Sequence, residues 1–233
     1  MIHQIKLALA LAVLTLCAVT PAKASVSGSF NMGNCPGGVT TLTATAITWL
    51  PPSGANTGCI ITGTGTVISF AGGVIGGGLA VIGNITNLLA PFQASPFITF
   101  PGTPVIFSLT SVSAPAAPSN GTTCLPLTIG QSCITSAGSP FLLTATATGT
   151  TLSVLEQGTV TDGVGAAANW SAILSTQFNT AAINIQNTIN SGAPLTSTFS
   201  LSGSISSAVP EPATLALLGL GLAGLGFARR KQH

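Results

Sequence analysis

Between Ser25 and Ala208 the chain holds two charged side chains, Glu156 and Asp162, and four cysteines, Cys35, Cys59, Cys124 and Cys133. A hairpin through Gln157-Gly158 would bring the two carboxylates together as a pair able to cleave a glycoside or hold Ca²⁺. The competing expectation is that both flank turns and stay solvated. Paired-carboxylate chemistry also needs sugar-binding donors and aromatic platforms, which this composition hardly supplies. Trp49 and Trp170 are the only tryptophans, and Tyr is absent. Beside Pro51-Pro52, Trp49 could stand exposed as a carbohydrate platform, against the competing expectation that it packs in the core or on the turn, whereas Trp170 belongs to the apolar face of a strand.

Charged residues make up 3% of the 233 positions, against roughly 25% in an average soluble domain. All five basic residues, Lys6, Lys23, Arg229, Arg230 and Lys231, lie near the ends, and so do His3 and His233. No basic patch is left to displace phosphate counterions, which excludes nucleic acid as a partner. With no His, Lys, Arg or Tyr in the middle, most acid, base and oxyanion roles lack a residue to fill them, and the reading assigns no enzymatic activity, no catalytic residue and no cofactor. The hydrophobic fraction of 46% still argues for a chain that buries a core.

The two ends read as addresses. Residues 1–24 combine a short polar start, an apolar stretch from Leu7 to Val19 and the small-x-small triplet Ala22-Lys23-Ala24, the pattern of a signal peptide cleaved after Ala24 by signal peptidase following passage through the secretion machinery. At the other end, Pro210-Glu211-Pro212 precedes an uncharged run, 213–228, and then Arg229-Arg230-Lys231. That run would rise about 24 Å as a helix, a short membrane span with the basic triplet as its cytoplasmic stop. Gly219-Leu220-Gly221-Leu222-Ala223-Gly224 within it fits a dinucleotide fingerprint only by letter, since no strand precedes it and no acidic residue follows.

Residues 209–233 as a whole resemble the PEP-CTERM sorting signal of Gram-negative bacteria that make exopolysaccharide. The resemblance covers about a tenth of the chain. It implies recognition of Pro210, Glu211 and Pro212 by an exosortase, a membrane-embedded cysteine transpeptidase or protease, with these three as substrate positions. It further implies an inner-membrane-anchored precursor followed by release to the cell surface or the extracellular matrix, where exopolysaccharide or a biofilm would be the associate. A secreted carbohydrate-binding module is the alternative reading, and a hydrolase the third.

Export makes disulfides the default for the cysteines left after Cys17 departs with the signal peptide. Three pairings are open; the local one, Cys35–Cys59 with Cys124–Cys133, closes the shortest loops, each worth about 3 kcal/mol. With no C-x-x-C pair and no His nearby, no metal site is expected.

The elements that must position these residues read as strands. Trp170, Ala172, Leu174 and Phe178 alternate with Ser171, Ser175 and Gln177; Leu195, Phe199, Leu201 and Ile205 alternate with Ser and Thr. Further strands are expected at 39–49, 60–70, 104–113, 141–148, 152–155 and 159–162, with turns at Pro51-Pro52-Ser53-Gly54, Ser119-Asn120-Gly121 and Asp162-Gly163. The stretch 71–87, rich in Gly, reads as a loop with one strand. One short helix is expected over 181–190, capped by Asn179 or Thr180 and stopped by Gly192. The expected exported domain, 25–208, is an antiparallel β-sandwich of jelly-roll type with one short helix. Asn84, Asn120 and Asn169 open glycosylation sequons by pattern.

The cleavage site gives a direct expectation. N-terminal sequencing of exported protein should begin at Ser25, and recovery of a chain beginning at Met1 or Ile2 would remove the signal-peptide reading.

Overall fold

The computed structural model describes residues 26–50, 57–88 and 94–207. The expected signal peptide and the sorting segment with its membrane helix lie outside them. Among the described residues no helix is long and apolar enough to cross a membrane.

The strands run β1 (Ser27–Asn34), β2 (Val39–Leu42), β3 (Ile47–Leu50), β4 (Thr57–Thr62), β5 (Val67–Phe70), β6 (Gly73–Ile75), β7 (Leu79–Gly83), β8 (Ala94–Thr99) and β9 (Ile106–Ser113). After them come β10 (Ser132–Ile134), β11 (Leu142–Thr146), β12 (Gly149–Thr161) and β13 (Ala168–Phe178), then the helix α1 (Ala182–Asn190), β14 (Leu195–Ser197) and β15 (Ser200–Ser206).

Eight of these strands close on themselves in the order β12-β13-β15-β1-β4-β7-β8-β9 and back to β12, each pair antiparallel. The expected sandwich is therefore corrected to a closed β-barrel. Closure rests on β12, which pairs with β13 along its length and with β9 from Leu155 to Thr161. On that same edge its first half pairs with β11 instead. The expectation broke β12 at Gln157-Gly158 into two short strands, and with it the seam that turns a sheet into a barrel. A smaller sheet, β14-β2-β3, is tied to the barrel side by the Ile47–Ile85 bridge.

An eight-stranded barrel has an interior that side chains can fill. Here aromatic rings fill it. Phe97 stacks on Trp170 at 6.1 Å between centroids; Phe107 meets Trp170 edge-on at 5.6 Å and Phe30 at 5.4 Å. Trp49, from β3, packs edge-on against Phe97 and Phe199. Two outward rows are polar: the paired row Gln157, Ser171, Ser204 and Ser29 crosses four strands, and Ser153, Ser175 and Ser200 form another, while Ile61, Leu79, Ile106 and Ile173 stand exposed elsewhere on the wall.

Two inward glycines make room for this filling. A Cβ on Gly203 would press on Phe30, Ala172 and the Ser171 carbonyl. A Cβ on Gly158 would overlap the Ser108 carbonyl oxygen and lie 2.7 Å from Trp170 Nε1. That nitrogen donates to the Ser108 and Thr159 carbonyls, both at 3.1 Å, so the indole is pinned beside the point where β9 bulges at Thr110 against Gln157-Gly158 of β12.

The helix occupies the expected place and buries Ala182, Ile185 and Ile189. Its cap differs: Ala181 is the N-cap with no side-chain hydrogen bond, and the Asn184 amide donates back to Thr180 Oγ1. Gly192 follows it at φ +80°, the left-handed residue that a helix stop requires.

Replacing Gly158 by Ala tests the steric seam. We expect a loss of about 3 kcal/mol in urea unfolding, since the added methyl has backbone on one side and the pinned indole on the other. Gly76→Ala, where nothing lies within 4 Å of the added atom, should stay within about 0.5 kcal/mol of wild type.

Candidate functional site

Glu156 sits in the middle of β12, on the inward-facing set with Leu152, Val154, Gly158 and Val160. It is 0% exposed, and neither carboxyl oxygen has a hydrogen-bond partner. Its cross-strand neighbours are Val112 on β9 and Ala172 on β13, and the row continues through Gly203 to Phe30. No opposite charge offsets this burial among the described residues. Burial alone pushes the carboxyl up from 4.5 to about 8, so at neutral pH it is mostly a neutral acid.

Asp162 is also buried, at 2% exposure, yet its surroundings are the opposite. Oδ2 accepts the Ala71 backbone N–H at 2.9 Å, and Oδ1 accepts those of Val164 and Gly165 at 3.1 and 3.2 Å. The Ala71 bond is the main cause holding this carboxyl below the usual carboxylate range; burial opposes it, and the Val164 and Gly165 bonds add to it. The side chain stitches the end of β12 to the turn after β5.

The expected hairpin between the carboxylates does not form. Glu156 lies in β12 and Asp162 one residue past its end, so an extended run of six positions separates their backbones by about 20 Å, beyond the separation that either retaining or inverting chemistry uses. The solvated alternative is corrected as well, since both side chains are buried. The signal that could have found Glu156 was its parity. Reading 149–161 as one strand puts it in step with Leu152 and Val154, inside.

Of the two positions open to Trp49, exposed platform or core packing, the structure has the second, at 2% exposure. It covers the Phe97 and Phe199 rings, so the platform that the carbohydrate-binding alternative needed is not at the surface. Trp170 lies in the core.

Cys35 is bonded to Cys59 and Cys124 to Cys133, with Cα separations of 5.6 and 5.3 Å. The first links the end of β1 to β4 inside the barrel wall. The second closes the loop that leads into β10. Among the described residues no three His, Cys, Asp or Glu side chains gather into a metal-binding group. A cleft of about 420 Å³ opens at the start of α1, lined by residues including Leu125, Leu127, Thr148, Thr150 and Ala181. Nothing that lines it can ionise, so it offers no acid or base.

Ala22, Ala24, Pro210, Glu211, Pro212, Arg229, Arg230 and Lys231 lie outside the described residues. Comparison with known families bears on the second group. Residues 208–231 match the PEP-CTERM protein-sorting motif. The match spans Pro210-Glu211-Pro212 and the basic end of the chain, and marks an exported protein that is anchored in a membrane and then processed through an exosortase. No curated protein and no solved structure matches this chain.

The two carboxyls give stability opposite pH slopes. Glu156 has a raised folded pKa, so its contribution is fully present below 4.5 and is lost as pH climbs toward about 8, by an amount of order 5 kcal/mol at the limit. Asp162 has a lowered folded pKa, so its contribution is present above its ordinary 3.8 and is lost as pH falls further. Urea unfolding should therefore show greatest stability between about pH 4 and 5, declining to pH 8. Glu156→Gln, which cannot ionise, should flatten the decline; a wild-type midpoint that is level across this range would refute the assignment.

Proposed function

We propose that this protein is a non-enzymatic structural component of the cell surface or extracellular matrix of a Gram-negative bacterium. An exosortase would release it from the inner membrane through Pro210-Glu211-Pro212. The observation that carries this reading is the sorting-motif match at 208–231, which begins just after the last barrel strand ends at Ser206. The described barrel adds support of a different kind. Its two carboxyls are spent on packing and on a loop stitch, its interior is filled, and its outer rows present hydroxyls without charge.

A neutral, hydroxylated surface suits a hydrated matrix of exopolysaccharide, because it neither repels nor is titrated by whatever charge the polymer carries. Exopolysaccharide or biofilm is accordingly the associate that we propose.

The motif itself supplies the test. A proline on each side of a residue biases a chain toward the extended form that a processing enzyme can bind, and Glu211 is flanked so in the sequence. Replacing Pro210-Glu211-Pro212 by three alanines should leave full-length precursor in the inner membrane, while wild type loses its tail in a host with an active exosortase. Antibodies to 25–208 and to the C-terminal tail distinguish the two species. Wild-type protein that keeps its tail in that host would overturn the proposal.

A further inference from the structure

Asn120-Gly121 is the one Asn-Gly step in the chain. It lies in a turn that the sorting function does not use. Two bonds hold the turn to β10, Asn120 N–H donating to the Ser132 carbonyl at 2.8 Å and Ile134 N–H to the Gly121 carbonyl at 2.9 Å, and one closes the turn itself, Thr123 N–H donating to the Asn120 carbonyl at 3.0 Å. Gly121 is exposed at φ +56°, with open space around the position of a Cβ. Neither the Gly121 N–H nor the Asn120 carboxamide takes part in a hydrogen bond. Both groups are free to react with each other while the rest of the turn is held.

We propose that Asn120 is a site of spontaneous deamidation in the folded protein. The Gly121 backbone nitrogen attacks Asn120 Cγ, a bond forms between them, and the Cγ–Nδ2 bond breaks as ammonia leaves with the proton from Gly121. The product is a five-membered succinimide. Water then opens it at either carbonyl, giving aspartyl or isoaspartyl at position 120; no oxidant or enzyme enters, and the net change is water in and ammonia out. Glycine favours the step because no side chain shields its nitrogen or restricts its φ.

None of the other asparagines among the described residues precedes a glycine, and several are also tied. Asn34 accepts from Phe199 N–H and donates to Thr40; Asn84 accepts from Trp49 N–H; Asn190 donates to the Thr135 carbonyl. Asp162-Gly163 could reach the same succinimide, but its carboxylate accepts three backbone bonds and Gly163 N–H is held by Thr161 Oγ1 at 3.0 Å. Only at Asn120 are the attacking nitrogen and the attacked carboxamide unengaged with glycine between them and solvent.

Deamidation has an unusual effect on this surface. Glu156 and Asp162 are the only charged residues among those described, and both are buried. An acidic group at half-buried position 120 would be the first charge there that is not fully buried. The isoaspartyl form also routes an extra carbon into the backbone between the bonds to Ser132 and Ile134, which loosens the turn beside the Cys124–Cys133 bridge.

The test is incubation of the intact, disulfide-bonded exported protein in mildly alkaline buffer, with chymotryptic peptide mapping and native isoelectric focusing over time. The peptide holding Asn120 should gain the mass of exchanging NH₂ for OH several-fold faster than any peptide holding another asparagine, with isoaspartyl the main product. A more acidic native band should grow in parallel. Asn120→Gln should abolish that band. An Asn120 that keeps its amide in the folded protein, or converts no faster than Asn84 or Asn190 does, would overturn the proposal even where the unfolded chain deamidates readily.

Discussion

One edge of β12 is shared by two strands, and the barrel exists because of it. Over Leu142–Thr146 β11 occupies that edge; from Ser113 back to Ile106 β9 occupies the rest. A strand that served only β11 would leave β9 as an open edge, with a row of unpaired N–H and C=O groups available to other chains. Pairing with β9 removes that edge and sets the interior width. The width in turn dictates the filling: Trp170 fits only because Gly158 faces it, and Phe30 only because Gly203 does. Ring packing, glycine placement and the bulge at Gln157-Gly158 are thus consequences of one pairing choice.

Glu156 sits one inward position from that bulge, in the same seam. An unpaired acid in an apolar interior costs stability whenever it must ionise, and replacement by an apolar side chain of similar size removes that cost. Asp162, at the end of the same strand, takes the opposite course by accepting backbone N–H groups that its loop would otherwise leave unmet. Both carboxyls are therefore structural participants in how β12 is held. Two acids on one strand, with pKa values pushed apart by their surroundings, resemble a catalytic pair in sequence and differ from one in geometry.

Much of the chain's local structure was legible. Period-two alternation marked β13 and β15, and the spacing of Ala182, Ile185 and Ile189 marked the helix. The local cysteine pairing with the shortest loops is the one the structure contains. Closure was not legible, for two physical reasons. Gly28 and Gly33 weaken the strand signal of β1, which supplies the wall between β15 and β4. Gln157-Gly158 looks like a turn because a glycine in a strand and a glycine in a turn are the same letter; only the indole it faces tells them apart. For Trp49 the neighbouring prolines indicate a bend without saying which side of it faces the core, so exposed and core positions both stood open in the sequence, and the structure takes the core one.

The absence of exposed charge among the described residues has a structural cost that the fold meets in one place and leaves open in another. Natural sheets commonly guard their edges with lysine or with inward-pointing charges. This chain guards its main sheet by closing it. Outside the closed wall, β6 pairs with β5 alone, and exposed Val74 on it stands near the turn leading to exposed Leu79, which faces exposed Ile61 across the β4–β7 pair. Brevity is the remaining protection there: β6 is three residues long, and Gly72-Gly73 before it and Gly76-Gly77-Gly78 after it disfavour extension of the strand in either direction. A glycine-rich segment that reads as a weak loop in sequence is, in the folded protein, what keeps an uncharged edge too short to recruit another chain.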